Sequence, residues 1–303
     1  MIIYRELSSL SDDLGFSAKT LYSVSNSISS HYRCVSIAKP GGGYRELSVP
    51  DCLLKSIQRR INEKLLWMEE ISPYATAYRV LGSTKKNAFP HKGNPIVLKL
   101  DIRHFFDSII YPVVKEKVFP NYRYSEQNRV LLSLLCVYKD ALPQGAPTSP
   151  AISNIIMRDF DNKIGSWCSE RGVVYTRYCD DMTFSGNFDP KPLRAHVKSE
   201  LRSMGFFLND RKSVILNRGQ CHIITGVLAN ERLRAPSDYR RRIRQEMYFC
   251  RKYGIGSHLR RIGIEDDVAH YRLVLLGRIN YALSLDPADS ELVSYKKWLC
   301  END

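Results

Sequence analysis

The chain has 303 residues, 44% hydrophobic and 11% aromatic, which is enough to bury a core and too apolar for a disordered chain. Its 45 Lys and Arg against 32 Asp and Glu leave a formal charge of +13, which favours a polyanionic partner, nucleic acid ahead of an anionic membrane surface. No run approaches the roughly 20 apolar residues of a membrane span, and the first residues lack a leader pattern. The eight cysteines are scattered without a CxxC pair, so the reading is a cytoplasmic protein with reduced thiols, not a zinc site or disulfide frame.

Short helices are expected over the first 30 residues, with Ser17 starting AKTLYSVSNSI. VSIAKPGGGYRELSVP reads as two short strands around the glycines at 41–43. Asp51 opens a helix in which Leu53, Leu54, Ile57, Ile61, Leu65 and Leu66 fall at helical spacing. PIVLKLDI (95–102) is a strand, with Asn87 and His91 in a loop before it. Ser125 caps a helix through VLLSLLCVY, and ALPQGAPTSP breaks the pattern before a long helix from Ala151 that ends at Gly172.

VVYTRYCDDMTFSG (173–186) reads as a hairpin, followed by a helix capped by Asp189 and stopped at Gly205. FFLND, SVIL and CHIITGVLA are read as three short strands. From Pro236 onward the pattern is helical. The order strand, helix, hairpin, helix, strand is a split βαβ layout in an α+β domain with an antiparallel sheet and covering helices. Residues 229–262 carry ten Arg or Lys against three acids, so a basic helical module follows the sheet.

The hairpin places two adjacent carboxylates, Asp180 and Asp181, at its tip. A solvated turn is the plain explanation for an isolated pair. Asp101, at the end of the strand LKLD in the same sheet, changes the balance. Three clustered carboxylates repel one another unless a cation neutralises them, and Mg²⁺ prefers such hard oxygens while leaving room for substrate phosphates. Two ions about 4 Å apart supply activation of an attacking hydroxyl and stabilisation of a leaving oxygen. A nucleotidyltransferase or a nuclease fits both this chemistry and the basic charge.

LDIRHFFDSI (100–109), LPQGAPTSP (142–150), YCDD (178–181) and GFFLNDRKS (205–213) resemble the reverse transcriptase motifs in order and type. NAFPH (87–91) and ITG (224–226) are similar to the NAxxH and VTG signatures of bacterial retron reverse transcriptases, with Ile224 in place of Val. Cys179 departs from the more usual Ala. The resemblance runs from about Arg45 to Leu285. It implies a right-hand polymerase with fingers, a split-βαβ palm and a helical thumb. Residues 1–228 would form fingers and palm, and 229–303 the basic thumb and C-terminal region.

The resemblance also implies roles. Asp101, Asp180 and Asp181 would be catalytic and, with the Ile102 carbonyl, would hold two Mg²⁺ ions. Arg45, Phe106, Gln144 and Lys212 would meet the dNTP, Phe106 by closing on the sugar C2′ and Lys212 beside the leaving pyrophosphate. Gln144, Gly145 and Tyr178 would lie along the template-primer. Asn87, Ala88, His91, Thr225 and Gly226 carry the retron signature without a stated chemistry. Arg240, Arg241, Arg242, Arg244, Arg251 and Lys252 would bind RNA through the backbone charge.

The implied activity is copying of a cognate structured non-coding RNA, serving as template and primer, into branched RNA-linked single-stranded DNA started from a 2′-hydroxyl of an internal guanosine. A separate effector protein and a role in anti-phage defence come with the resemblance, and no membrane partner does. The alternatives are a compact group II intron-like or diversity-generating reverse transcriptase, and a non-catalytic RNA-binding scaffold.

Overall fold

A computed structural model describes residues 3–38, 42–263 and 267–301. Gly41, the first glycine of the expected turn, lies outside them. Helices α1 (Leu7–Leu14) and α2 (Ala18–Asn26) come first, and the Ser17 side chain accepts the Thr20 amide as the expected cap. Strands β1 (Tyr32–Ala38) and β2 (Tyr44–Pro50) pair antiparallel, Tyr32 opposite Pro50 and Ala38 opposite Tyr44. Helix α3 (Cys52–Ile61) is capped by Asp51, which accepts the Leu54 amide at 2.8 Å, and runs on through a π turn to Leu66. Its apolar stripe is buried as expected, except Leu53, which faces solvent.

Then follow α4 (Thr84–Ala88), β3 (Ile96–Arg103), α5 (Tyr111–Lys117) and α6 (Glu126–Cys136). Asn87 and His91, expected in a loop, are not in one. Asn87 lies on α4, and His91 in the 3-10 turn that continues it. The long helix α7 (Ser149–Ser169) starts two residues early, because Pro150 is tolerated in a first turn where its missing amide has no partner to lose.

The hairpin is β4 (Val174–Tyr178) and β5 (Asp181–Gly186), joined by Cys179 and Asp180, and α8 (Pro190–Ser203) follows with its Asp189 cap. Short strands β6 (Phe207–Leu208) and β7 (Val214–Leu216) complete a five-stranded sheet of order β4-β5-β3-β6, with β7 also on β3. β3 and β6 run antiparallel, Ile102 opposite Leu208. The class is α+β.

CHIITGVLA is not one strand but a hairpin, β8 (Ile223–Ile224) and β9 (Val227–Leu228). Thr225 and Gly226 form its two-residue loop at φ 45° and 78°. Two positive φ values in succession reverse the chain with the twist that a hairpin needs. The remainder is α9 (Ser237–Tyr253), α10 (Ile255–Ile262), α11 (Val268–Leu285) and α12 (Ser290–Glu301).

The chain divides into two compact units. The first comprises residues 1–80, 98–183 and 189–214, and the second 81–97, 184–188 and 215–303. The second has its own core, in which Ile224 and Val227 join Met247 of α9, Leu275 and Ile279 of α11 and Leu299 of α12. Among the described residues, no helix is long and apolar enough to cross a membrane.

Candidate active site

β3 sits between β5 and β6, and its backbone fixes the three aspartates relative to one another. The Ile102 amide donates to the Asp180 carbonyl at 3.0 Å, and the Asn209 amide donates to the Asp101 carbonyl at 2.8 Å. Asp101 is 5% exposed. The hairpin loop is tight: Cys179 takes φ 62°, in the left-handed region where a residue with a Cβ is strained.

These residues open onto a cleft of 1490 Å³ within the first unit. Every residue assigned to chemistry, dNTP or template-primer lines it: Arg45, Asp101, Ile102, Phe106, Gln144, Gly145, Tyr178, Asp180, Asp181 and Lys212. Elements distant in sequence meet there: β2, β3, the β4–β5 hairpin and the loop before α7 all contribute to its lining. The two adjacent phenylalanines separate by environment. Phe105 is buried against Phe206, with centroids 5.8 Å apart, whereas Phe106 is half-buried.

Gly145 has a reason that the sequence did not disclose. At φ 124°, a Cβ there would lie 2.8 Å from the Ser48 carbonyl oxygen, and the Ser48 amide donates to the Gln144 carbonyl at 2.8 Å. The close approach that requires glycine is to β2, which ties the Gln144 loop to the β1–β2 hairpin.

The electrostatics match three carboxylates near one another. Burial, then Asp180, then Asp101 push the Asp181 carboxyl above its ordinary range. Lys212 Nζ lies 2.7 Å from Asp101 Oδ2, and that hydrogen bond holds the ammonium above its usual pKa. Arg103, Lys139 and Arg211 also line the cleft and were not singled out from sequence. Lone cations carry no spacing signal, so only folding gathers Arg103 at the end of β3 with Lys139 and Arg211 from turns.

Among the described residues, no three His, Cys, Asp or Glu side chains form a ready-made metal cage. Carboxylates at an open cleft nonetheless suit Mg²⁺, which binds one or two carboxylates and completes its shell with water and substrate phosphates. Asp101, Asp180 and Asp181 therefore fit the ion as donors.

The signature residues lie elsewhere, in the second unit. Asn87, Ala88 and His91 are buried. Asn87 Nδ2 donates to the Thr225 hydroxyl at 3.2 Å, so the NAFPH and ITG stretches meet. His91 Nδ1 lies 2.7 Å from Ser185 Oγ, which also accepts from Asn94.

The basic residues of α9 split into two groups. Arg240 pairs with Asp289 at 3.6 Å and Arg244 with Glu291 at 3.1 Å, while Arg251 bonds the Ser294 carbonyl and covers Tyr295. These three bind α9 to α12 and the turn before it. Arg241 and Arg242 are exposed, and Lys252 lies over the rings of Tyr248 and Tyr253.

Residues 37–228 match the family described as reverse transcriptase (RNA-dependent DNA polymerase), and the chain belongs to that family of RNA-directed DNA polymerases. Retron Ec83 reverse transcriptase of Escherichia coli is 33% identical over 282 residues, covering 88% of this chain and 86% of that one. Retron Mx65 reverse transcriptase of Myxococcus xanthus is 31% identical over 287 residues, and this chain spans 64% of its length. Within the family, the chain is thus of the retron type. Among solved structures, a telomerase from Candida albicans aligns with a TM-score of 0.49 at 13% identity, over 88% of this chain and 60% of that one.

Proposed function

We propose that this chain uses a cognate structured non-coding RNA as template and primer and makes branched, RNA-linked single-stranded DNA. The observation that carries the reading is the meeting of Asp101, Asp180 and Asp181 with Arg45, Phe106, Gln144 and Lys212 in one cleft. In each step a primer hydroxyl attacks the α-phosphorus of a dNTP; one P–O bond forms, one breaks, and pyrophosphate leaves. Asp101 and Asp180, supported by Asp181 and the Ile102 carbonyl, would hold two Mg²⁺ ions. When bound, these ions supply the charge that lowers the barrier to in-line displacement.

The chain's own groups do the rest. Phe106, which lines the cleft, would close on the sugar C2′ and so favour dNTPs over ribonucleotides. Arg45 and Lys212 bring fixed positive charge to the triphosphate and the leaving pyrophosphate. Gln144, Gly145 and Tyr178 border the nascent pair. The exposed Arg241 and Arg242 suit duplex phosphates, where released counterions give sequence-independent affinity. A separate effector protein, a cytoplasmic location and a role in defence against phage belong to the same reading.

The test is to purify the protein, sequence the nucleic acid that accompanies it, then add Mg²⁺ and dNTPs. One structured RNA should dominate and should be extended into covalently attached DNA. Asp180→Asn combined with Asp181→Asn should abolish extension. A heterogeneous RNA pool would refute the dedicated template, and synthesis by the double variant would refute the site.

A further inference from the structure

Arg177 stands in β4, between Thr176 and Tyr178, with 0% of its surface exposed. A guanidinium buried so completely is costly unless it is paired and hydrogen-bonded. Asp161 of α7, also 0% exposed, accepts Arg177 Nε at 2.8 Å on Oδ1 and Nη2 at 2.6 Å on Oδ2. The Tyr175 hydroxyl donates to the same Oδ1 at 2.8 Å. Asn154, on the same face of α7, accepts from Nη2 at 3.2 Å and donates to the Ala77 carbonyl.

A buried ion pair of this kind gives no general stability advantage over well-packed apolar side chains. What an apolar pair cannot supply is the remaining bond: Arg177 Nη1 donates to the carbonyl oxygen of Cys179 at 2.9 Å. That carbonyl belongs to the peptide joining Cys179 to Asp180. Cys179 sits at φ 62°, a left-handed conformation that strains a residue with a Cβ. A second interaction reaches the same residue, because the Tyr78 hydroxyl donates to Cys179 Sγ at 3.4 Å.

We propose that Arg177 is a positioning residue, anchored by Asp161 and Asn154 of α7, which holds the Cys179–Asp180 peptide in its strained turn and so sets where the Asp180 and Asp181 carboxylates point. The proposal rests on reading those aspartates as the metal-binding carboxylates. Asp161 keeps the guanidinium charged in the core; the strain at Cys179 is sustained because the carbonyl has a fixed, charged donor. The sequence shows only an arginine among strand-forming residues, and its partner lies on another element.

Arg177→Lys is the informative variant, since it keeps a charge opposite Asp161 while a single ammonium cannot span Asp161 and the Cys179 carbonyl together. The first readout is peptide-resolved alkylation of the folded protein. Loss of one charged hydrogen bond should speed Cys179 modification by about tenfold, with the buried Cys136 and Cys168 unchanged. The second is Mn²⁺ affinity of the protein without nucleic acid, by electron paramagnetic resonance, which should weaken about tenfold, as when outer-sphere support is removed. Adding Cys179→Gly, which takes the left-handed conformation freely, should recover most of that affinity.

Wild-type protection of Cys179, unchanged Mn²⁺ affinity, or no recovery with Cys179→Gly would each overturn the proposal. So would equal acceleration at Cys136, Cys168 and Cys179, which marks general loosening. Asp180→Asn with Asp181→Asn separates the two readings. If that variant binds Mn²⁺ like the wild type, the metal-site assignment fails, while the alkylation contrast still judges the role of Arg177 in the turn.

Discussion

Asn87 of α4 donates to the hydroxyl of Thr225, the first loop residue of the β8–β9 hairpin, at 3.2 Å. The Thr225 hydroxyl in turn donates to the Thr84 carbonyl at 3.4 Å. Two stretches far apart in sequence are thereby one structural unit, a short helix clasping a tight turn. The geometry makes them a local fastening in the second unit, lined beneath by Ala88, Ile224 and Val227.

The fastening predicts coupled losses of stability. Asn87→Ala and Thr225→Val should each destabilise by about 1 kcal/mol, because each removes the hydrogen bond between the two side chains. The double variant should cost less than their sum, since the second change removes a bond that the first has already broken. Urea unfolding of the four proteins measures this, and strict additivity would show that the two motifs act independently.

His91 makes stability depend on pH. Burial pushes its imidazole down to about 3, so the folded ring is neutral, with Nδ1 hydrogen-bonded to Ser185 Oγ. An unfolded histidine titrates near 6.5, so below about that pH protons bind the unfolded chain first. The contribution is complete above the ordinary histidine range and is lost as pH falls toward 3. His91→Gln should flatten this part of the stability profile by up to about 1.4 kcal/mol per pH unit. Parallel profiles for the two proteins between pH 4 and 7 would contradict it.

Gly165 inverts a propensity rule. Alanine in the middle of a helix such as α7 is ordinarily favoured over glycine by about 1 kcal/mol. A Cβ at 165 would stand 2.0 Å from Cε2 of the Tyr74 ring. Gly165→Ala should therefore destabilise, by about 1–3 kcal/mol as for overpacking. A raised melting temperature would show that Tyr74 moves aside freely.

The two kinds of arginine on α9 should behave differently. Replacing Arg241 and Arg242 with Gln should weaken RNA binding and reduce the salt slope by about one for each phosphate no longer neutralised, with stability nearly unchanged. Arg251→Gln should instead lower stability, because that side chain bonds Ser294 and covers Tyr295 and Trp298. Filter-binding across salt concentrations and thermal unfolding separate the effects. An unchanged slope in the Arg241/Arg242 variant would remove these residues from the RNA surface.

Local chemistry was legible in the sequence. Ser17, Asp51, Ser125 and Asp189 cap the helices expected of them, because a cap is an interaction across three or so residues. The carboxylates, the Gln144 loop and Lys212 were equally legible through their motifs, and the fold brings them to one cleft. Missed were the relationships that need two elements to meet. The strand expected over CHIITGVLA is a hairpin because Thr225 accepts a positive φ that its residue type disfavours, held there by Asn87. Gly145 is required by Ser48, and Gly165 by Tyr74.

Sequence by itself thus determined which groups are available for chemistry: three acids, a basic excess, and motifs in reverse transcriptase order. Only the tertiary structure decided which charges are free to act and which are spent within the fold. Arg177 and Arg251 look in sequence like any surface cation, yet one is sealed against Asp161 and the other fastens α12. The reason is physical: the meaning of a charged side chain depends on the dielectric around it and on partners that arrive from other elements.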